Sequence, residues 1–529
     1  MTRLKHTGYW EYLDTYGTQL FTAVLLPDAQ GTFPTVVYRS PYVDALETLS
    51  EETVVARYLS EHAAWLNSGY AVVMQHCRGR GKSGGVCVPY INERADGLRL
   101  LDWIRTLPGY NGELYLVGGS YLSSVHYAVA PFAGDIRGAV FKIQDDERYN
   151  ICYRNGFFKS ALHGSWYMGM YHAGQHPVRH FTPAAFDTLP LSILTRTVFG
   201  EPAEDFDEML RHPDRRDAFW NTLPGGSDSR NAVEHADIPI LLTTGFYDIY
   251  TGGIFDMWRK MKPGTRARSA LVVSPYDHGD GCPEGSIRFP NGKKAEQFGD
   301  SFEQQWLDYT RGIGEPPFPL GKVTYYRLFE NRWASDAFDE SDVPGGKQHM
   351  LELPIGSGIR TYVYNPYDPP RFRGGLSGSF GGADFQDPPN SRHDIVSLYT
   401  EQFDRDVFIK GRMSAALDVA SDCEDTCFYM RISIEKTQGD FGLRDDILSL
   451  CGHLGDYTPG SRVRVGFTFD DHAFLVRRGE RLRIDIASAD NAHFVRHTNR
   501  RGLFSEQTSC AIAHNTLYLD SARLTLPIE

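Results

Sequence analysis

Three residues of this sequence have the types and the chain order of a proton-relaying nucleophile: Ser120, Asp248 and His278. The serine stands in Leu114-Tyr-Leu-Val-Gly118-Gly119-Ser120-Tyr121-Leu122, an apolar run into Gly-x-Ser with a predicted helix behind it. A serine on a strand-to-helix turn needs small neighbours, because the turn is tight and lifts the hydroxyl above the sheet edge. The next backbone N–H then lies at a helix N-terminus and can face a developing oxyanion. The match to G-x-S-x-G is incomplete, since Leu122 takes the place of the last glycine. A helix N-cap is the alternative role for such a serine.

A serine hydroxyl needs a base, and the base needs an orienting acid. On open α/β sheets the order is Ser, then Asp or Glu, then His, on later strand ends. Residues 240–248 (ILLTTGFYD) lead an apolar run to Asp248, and residues 271–278 (LVVSPYDH) lead the next to His278. Both fall in predicted loops at the C-terminal edge of the sheet, where such sites lie. The alternatives are a helix cap for Asp248 and an ordinary loop histidine for His278. Asp277 and Asp280 are rival acids, ranked lower because neighbours in one loop rarely point at the same ring.

The elements that would hold these groups follow from periodicity. Apolar, β-branched runs predict strands at 18–27, 34–39, 70–75, 114–117, 137–142, 238–244 and 268–274. Helical spacing predicts helices at 93–107, 121–131, 251–262 and 296–312. This alternation implies a parallel sheet covered on both faces. Residues 145–235 break it and read as helices and loops. Beyond 318, segments such as 462–469, 481–487 and 516–526 alternate apolar and polar residues, the mark of an antiparallel sandwich. The expected fold is therefore α/β. A hydrolase-type core spans 1–144 and 236–317, a helical cap is inserted at 145–235, and a β-sandwich covers 318–529. The Gly-rich stretch 374–382 reads as a loop.

Bulk properties narrow the function. A chain of 529 residues with 41% hydrophobic content exceeds one typical domain. A net charge of −13 argues against nucleic acid or an anionic membrane as partner. The first residues hold no apolar leader, and no run approaches the eighteen or so apolar residues of a membrane span. Eight scattered cysteines read as reduced thiols, which points to the cytoplasm. Cys423 and Cys427 lack the further ligands of a zinc site, so no metal is expected. Gly79-Arg-Gly-Lys-Ser-Gly84 fits G-x-G-x-x-G, but Gly85-Val-Cys-Val-Pro89 follows where a dinucleotide site needs a helix. His76 occupies the position of the first P-loop glycine, so nucleotide binding is excluded as well.

Several dispersed motifs in order resemble the cocaine esterase / X-prolyl dipeptidyl-peptidase (CocE/NonD) family of serine hydrolases. They are Arg39-Ser-Pro-Tyr42, Arg78-Gly-Arg-Gly81-x-Ser83-x-Gly85, Gly118-Gly-Ser120-Tyr121, Gly245-Phe-Tyr-Asp248 and Ser274-Pro-Tyr-Asp-His278. The family also holds α-amino acid ester hydrolases and glutaryl-cephalosporin acylases. The resemblance implies an α/β-hydrolase core, a cap and a C-terminal jelly roll. It implies a catalytic triad of Ser120, Asp248 and His278, and an oxyanion hole from the Tyr42 hydroxyl and the Tyr121 N–H. Without it, Tyr42 reads as a packed aromatic. Three departures touch the pocket. His76-Cys77 stand where the family has Asp before the Arg-Gly pair, Ser123 stands for a glycine, and Phe246 for a tryptophan.

The expected chemistry is two-step acyl transfer by the serine, with no cofactor. The expected substrate is a small carboxylic ester. The alternatives are an amide or peptide bond, as in an X-prolyl dipeptidyl-peptidase or acyl-amide acylase, and, remotely, a non-catalytic binding protein. The oligomeric state is left open, a homo-oligomer included. Trp166, Tyr167, Met168, Met170 and Tyr171 in the cap either line an apolar acyl pocket or form cap core, and Phe246 is expected to shape that pocket. Asp145, Asp146 and Glu147 read as a solvated loop, with a grip on a free α-amine as the alternative.

Overall fold

The computed structural model describes residues 6–28, 30–170, 183–223, 225–338, 349–375, 382–491 and 493–529. A central sheet organises the first two-thirds of the chain. Its strands are β1 (Thr7–Thr15), β2 (Thr18–Leu26), β3 (Phe33–Ser40), β4 (Ala71–His76), β5 (Tyr110–Gly119) and β6 (Ile136–Lys142). A two-residue pair in the cap, β7 (Tyr153–Arg154) and β8 (Phe157–Phe158), lies outside it. The sheet resumes with β9 (Ile240–Gly245), β10 (Ala270–Ser274), β11 (Val323–Arg327) and β12 (Arg332–Asp336). The spatial order is β1-β2-β4-β3-β5-β6-β9-β10-β11-β12.

Neighbouring strands from β4 through β11 pair in parallel, as the alternation predicts. The two edges are antiparallel, which makes the sheet mixed. β4, β9 and β10 are buried at every residue, as befits strands covered on both faces. Alternate residues of β5 serve two cores. Leu114 and Leu116 face one, and Tyr115 and Val117 the other. The C-terminal ends of β5, β9 and β10 open on one edge, just before Ser120, Asp248 and His278.

Two points correct the sequence expectation. Residues 323–336, expected in the C-terminal sandwich, form β11 and β12 of the central sheet, so a boundary at 317 cuts this sheet. The helix Phe302–Thr310 returns the chain for β11 to lie parallel to β10, the βαβ connection continued once more. β1 was not expected at all. It is an edge strand with polar-interrupted residues, only two of them buried, and lacks the apolar run of an inner strand.

The described residues of the insertion at 145–235 form mainly short helices, among them Arg148–Cys152, Ser165–Met170, Leu194–Phe199 and Glu204–Met209. The C-terminal part forms antiparallel sheets of seven and four strands. The long strand Ala513–Ile528 pairs with His349–Pro354, Ile359–Tyr364 and Ser414–Ser421. Of the expected Gly-rich loop, residues 376–381 lie outside the described residues.

Charged and aromatic contacts tie this C-terminal part to the rest. Arg259, on the helix Thr251–Lys260, grips Asp471 through two nitrogens at 2.9 and 2.6 Å, and Arg412 joins the same carboxylate at 2.9 Å. Arg154 of the cap pairs with Asp446 and Asp470, each at 2.8 Å. All eight cysteines are free thiols. Among the described residues no helix is long and apolar enough to cross a membrane.

Candidate active site

Ser120 sits between β5 and the helix Tyr121–Tyr127 with φ 54° and ψ −132°. A non-glycine residue there stores on the order of 1–3 kcal/mol of strain. The turn tightens because Gly118 has no side chain; a Cβ on it would fall 2.2 Å from the Leu122 carbonyl oxygen. Although Ser120 occupies the N-cap position, its side chain makes no capping bond. Its hydroxyl lies 3.1 Å from His278 Nε2 instead.

His278 Nδ1 in turn lies 3.2 Å from Asp248 Oδ1. Asp248 is fully buried. It also accepts from the Tyr250 N–H at 2.9 Å and the Thr244 hydroxyl at 3.2 Å, so the carboxylate cannot swing away. The cap-like role and the histidine contact thus share one oxygen. Burial alone would lower the His278 pKa, but the Asp248 carboxylate, with Asp277 nearby, raises it above 6.5. The rival acids are engaged elsewhere. Asp277 accepts from the N–H groups of Gly279 and Gly281, both at 2.9 Å. Asp280 takes the Ser274 hydroxyl at 2.5 Å and Lys294 at 2.9 Å.

Two donors converge beside the serine. Tyr121 is the first residue of its helix, so its N–H has no carbonyl one turn earlier to bond. The Tyr42 hydroxyl is near enough to Ser120 to interact with it and accepts from Trp166 Nε1 at 3.0 Å. Burial of the phenol raises its pKa, which keeps the donor proton in place at neutral pH. A serine hydroxyl beside an imidazole that a carboxylate holds, with an N–H and a phenol close by, is the set of groups that acyl transfer at a carbonyl requires.

Residues 16–280 match the model of the X-Pro dipeptidyl-peptidase (S15 family), half the chain. The chain belongs to the S15 family. It is by that membership a hydrolase of ester or amide substrates. Residues 302–525 match the X-Pro dipeptidyl-peptidase C-terminal non-catalytic domain. Cocaine esterase of Rhodococcus sp. is 24% identical, over 93% of this chain and 92% of its own. Two solved structures share the fold over the whole chain and 97% of theirs. One is an aminopeptidase from a marine sediment Thaumarchaeota archaeon, with TM-score 0.82 and 17% identity. The other is an α-amino acid ester hydrolase, with TM-score 0.80 and 16% identity. A CocE/NonD family hydrolase from Staphylococcus aureus aligns with TM-score 0.66 and 14% identity, over 99% of this chain and 94% of its own.

The departures from the S15 pattern have local explanations. At Ser123 the Cβ is accommodated. Its hydroxyl bonds the Gly118 carbonyl at 2.8 Å and accepts the Lys142 N–H at 3.0 Å, bridging the ends of β5 and β6. His76 bonds the Tyr58 hydroxyl at 2.7 Å and the Lys82 N–H at 3.2 Å. Burial, helped by Lys82, lowers its pKa to about 3, so a neutral imidazole stands at this position.

The predicted pocket residues divide. Trp166 reaches the site through Tyr42. Tyr167 is fully buried, packs against Phe206 at 4.6 Å and bonds Asp205 through its hydroxyl, so it is cap core. Met170 is buried too, and its carbonyl accepts from Arg80. Phe246 is also not a pocket residue. It has no exposed surface and packs against His472 at 5.0 Å, at the seam with the C-terminal sheets. Tyr171 lies outside the described residues. Asp145, Asp146 and Glu147 are buried, not solvated. Asp145 accepts from the Glu147 N–H at 2.9 Å and Asn150 at 3.0 Å, and burial pushes it up to about 6. Glu147 faces Arg230 at 3.6 Å and Lys260 at 4.0 Å. Distant cations thus compensate a run that reads as a surface loop.

Three residues were not singled out from the sequence. Glu93 bonds the Tyr121 hydroxyl at 2.7 Å and pairs with buried Arg39 at 3.0 Å. It thereby locks the residue after Ser120 to the strand before Tyr42. An arginine ending an apolar strand run demands a buried carboxylate, and that was the available signal. Tyr250 meets the His278 ring edge-on at 5.6 Å, and Tyr90 packs on Tyr121 at 4.9 Å. No local pattern marks either.

Proposed function

We propose that this chain hydrolyses small carboxylic esters through an acyl-enzyme on Ser120. His278 Nε2 takes the hydroxyl proton as Oγ attacks the ester carbonyl carbon. Asp248 holds the imidazole tautomer and stabilises the imidazolium. The Tyr42 hydroxyl and the Tyr121 N–H donate to the oxyanion. Collapse breaks the bond to the leaving oxygen, and the alcohol departs with the proton from His278. Water, deprotonated by the same imidazole, then releases the acid and restores the serine. The observation that carries this reading is the Asp248–His278–Ser120 chain, with contacts of 3.2 and 3.1 Å on a strained turn.

The eight free thiols support a cytoplasmic setting. The test pairs a fluorophosphonate probe with 4-nitrophenyl butyrate. Ser120→Ala is expected to lose the label and to lower kcat by about 10⁵-fold or more. A variant that still labels and turns over the ester at the wild-type rate sinks the assignment. An Xaa-Pro anilide assayed beside the ester separates the peptidase alternative; faster turnover of the anilide would reverse the preference proposed.

A further inference from the structure

We infer that Trp166 is a positioning residue that aims the Tyr42 hydroxyl at the oxyanion. The inference rests on the reading of Tyr42 as an oxyanion donor. Indole Nε1–H can only donate, so its 3.0 Å contact with Tyr42 fixes the phenol oxygen as acceptor there. The phenol proton is then left to point elsewhere, and an oxyanion forming at Ser120 is the acceptor it can serve. A hydrogen bond received by the phenol oxygen also polarises its O–H, which makes it a better donor to developing negative charge.

Two further features show that this contact is held in place. The Trp166 ring packs at 5.3 Å on Tyr121, the other donor residue, and at 5.7 and 5.6 Å on Tyr90 and His163. Arg80, buried in the glycine-rich turn after β4, bridges the two segments. It donates to the Pro41 carbonyl at 2.8 Å and the Met170 carbonyl at 3.2 Å, and pairs with Asp44 at 2.6 Å. The loop carrying Tyr42 and the helix carrying Trp166 are therefore gripped by one guanidinium. Tyr42 needs this support because the residue as a whole is 48% exposed and only its phenol end is shielded. The cap thus acts on the oxyanion hole directly, through a group that need not touch substrate.

The experiment is a double-mutant cycle on the full chain with 4-nitrophenyl butyrate. Trp166→Phe keeps a ring and removes the N–H. It is expected to lower kcat about tenfold, a fraction of the 10²–10³ that loss of a whole donor costs, with KM changed less than threefold. In a Tyr42→Phe background the same change should alter kcat less than twofold, because the acceptor is gone. Trp166→His, which keeps a ring N–H, should retain more kcat than Trp166→Phe, and serves if the phenylalanine variant does not fold. Equal losses in both backgrounds, or a change confined to KM, would show that Trp166 is only a wall and overturn the inference. A Tyr42→Phe enzyme with unchanged kcat, beside an inactive Ser120→Ala, would instead remove Tyr42 from the oxyanion hole, and the role of Trp166 with it.

Discussion

The floor and the roof of this site are built on different principles. On the floor, Ser120, Asp248 and His278 hang from the ends of three inner strands of one sheet, β5, β9 and β10, and fully buried groups brace them. Asp248 has no exposed surface, and Tyr121 is locked through Glu93 to Arg39. On the roof, Tyr42 sits in a loop and Trp166 on a six-residue helix of the insertion, joined by one hydrogen bond and one arginine. The floor positions by backbone strain and buried charge. The roof positions by a few polar contacts among aromatic rings. Chemistry common to many substrates needs the first kind of rigidity, while the second can be rebuilt without disturbing it.

This contrast can be broken or sharpened experimentally. Asp248→Asn strikes the floor's buried charge and should lower kcat about 10⁴-fold, as a wrong tautomer does. A loss under tenfold would mean that the imidazole is oriented by something else. Glu93→Gln removes the carboxylate from a guanidinium that is 1% exposed. Breaking a buried pair costs roughly 3–5 kcal/mol, with the low end expected because Asp96 remains 4.0 Å from Arg39. Urea unfolding measures this, and an unchanged midpoint would deny the floor its bracing. Ser123→Gly restores the family's residue but deletes the bridge between β5 and β6, for a loss of about 1–2 kcal/mol from the bond and the added chain freedom. The smallest effect is on pH. His278 must be neutral to accept the proton, and Asp248 raises its pKa. Activity should therefore climb with pH through a kcat/KM limb lying above 6.5. An acid limb at or below that value would show that the carboxylate does not bias the imidazole.

The floor was also the legible part. Strand runs, a Gly-x-Ser turn and two acid-or-base strand ends are local signals, since buried parallel strands write their apolar character into consecutive residues. Sheet membership is not local. Nothing within Val323–Arg327 says which sheet the strand β11 joins. β1 escaped because an exposed edge strand needs no apolar run. Glu93, Tyr90 and Tyr250 matter through contacts across dozens of residues, and Phe246 misled because the residue beside an active-site motif can point into a domain seam. The acidic run at 145–147 reads as surface only while the cations at 230 and 260 are out of view.

The grip of Arg259 on Asp471 has a consequence for modularity. Arg259 projects from the helix that starts three residues after Asp248, while Asp471 belongs to the C-terminal part and is itself wholly enclosed. Units joined in this way are not interchangeable beads on a string. A lineage that swapped its C-terminal module, or an engineer grafting a new one, would have to transplant Asp471 with it or leave the acid's own helix without its bidentate countercharge.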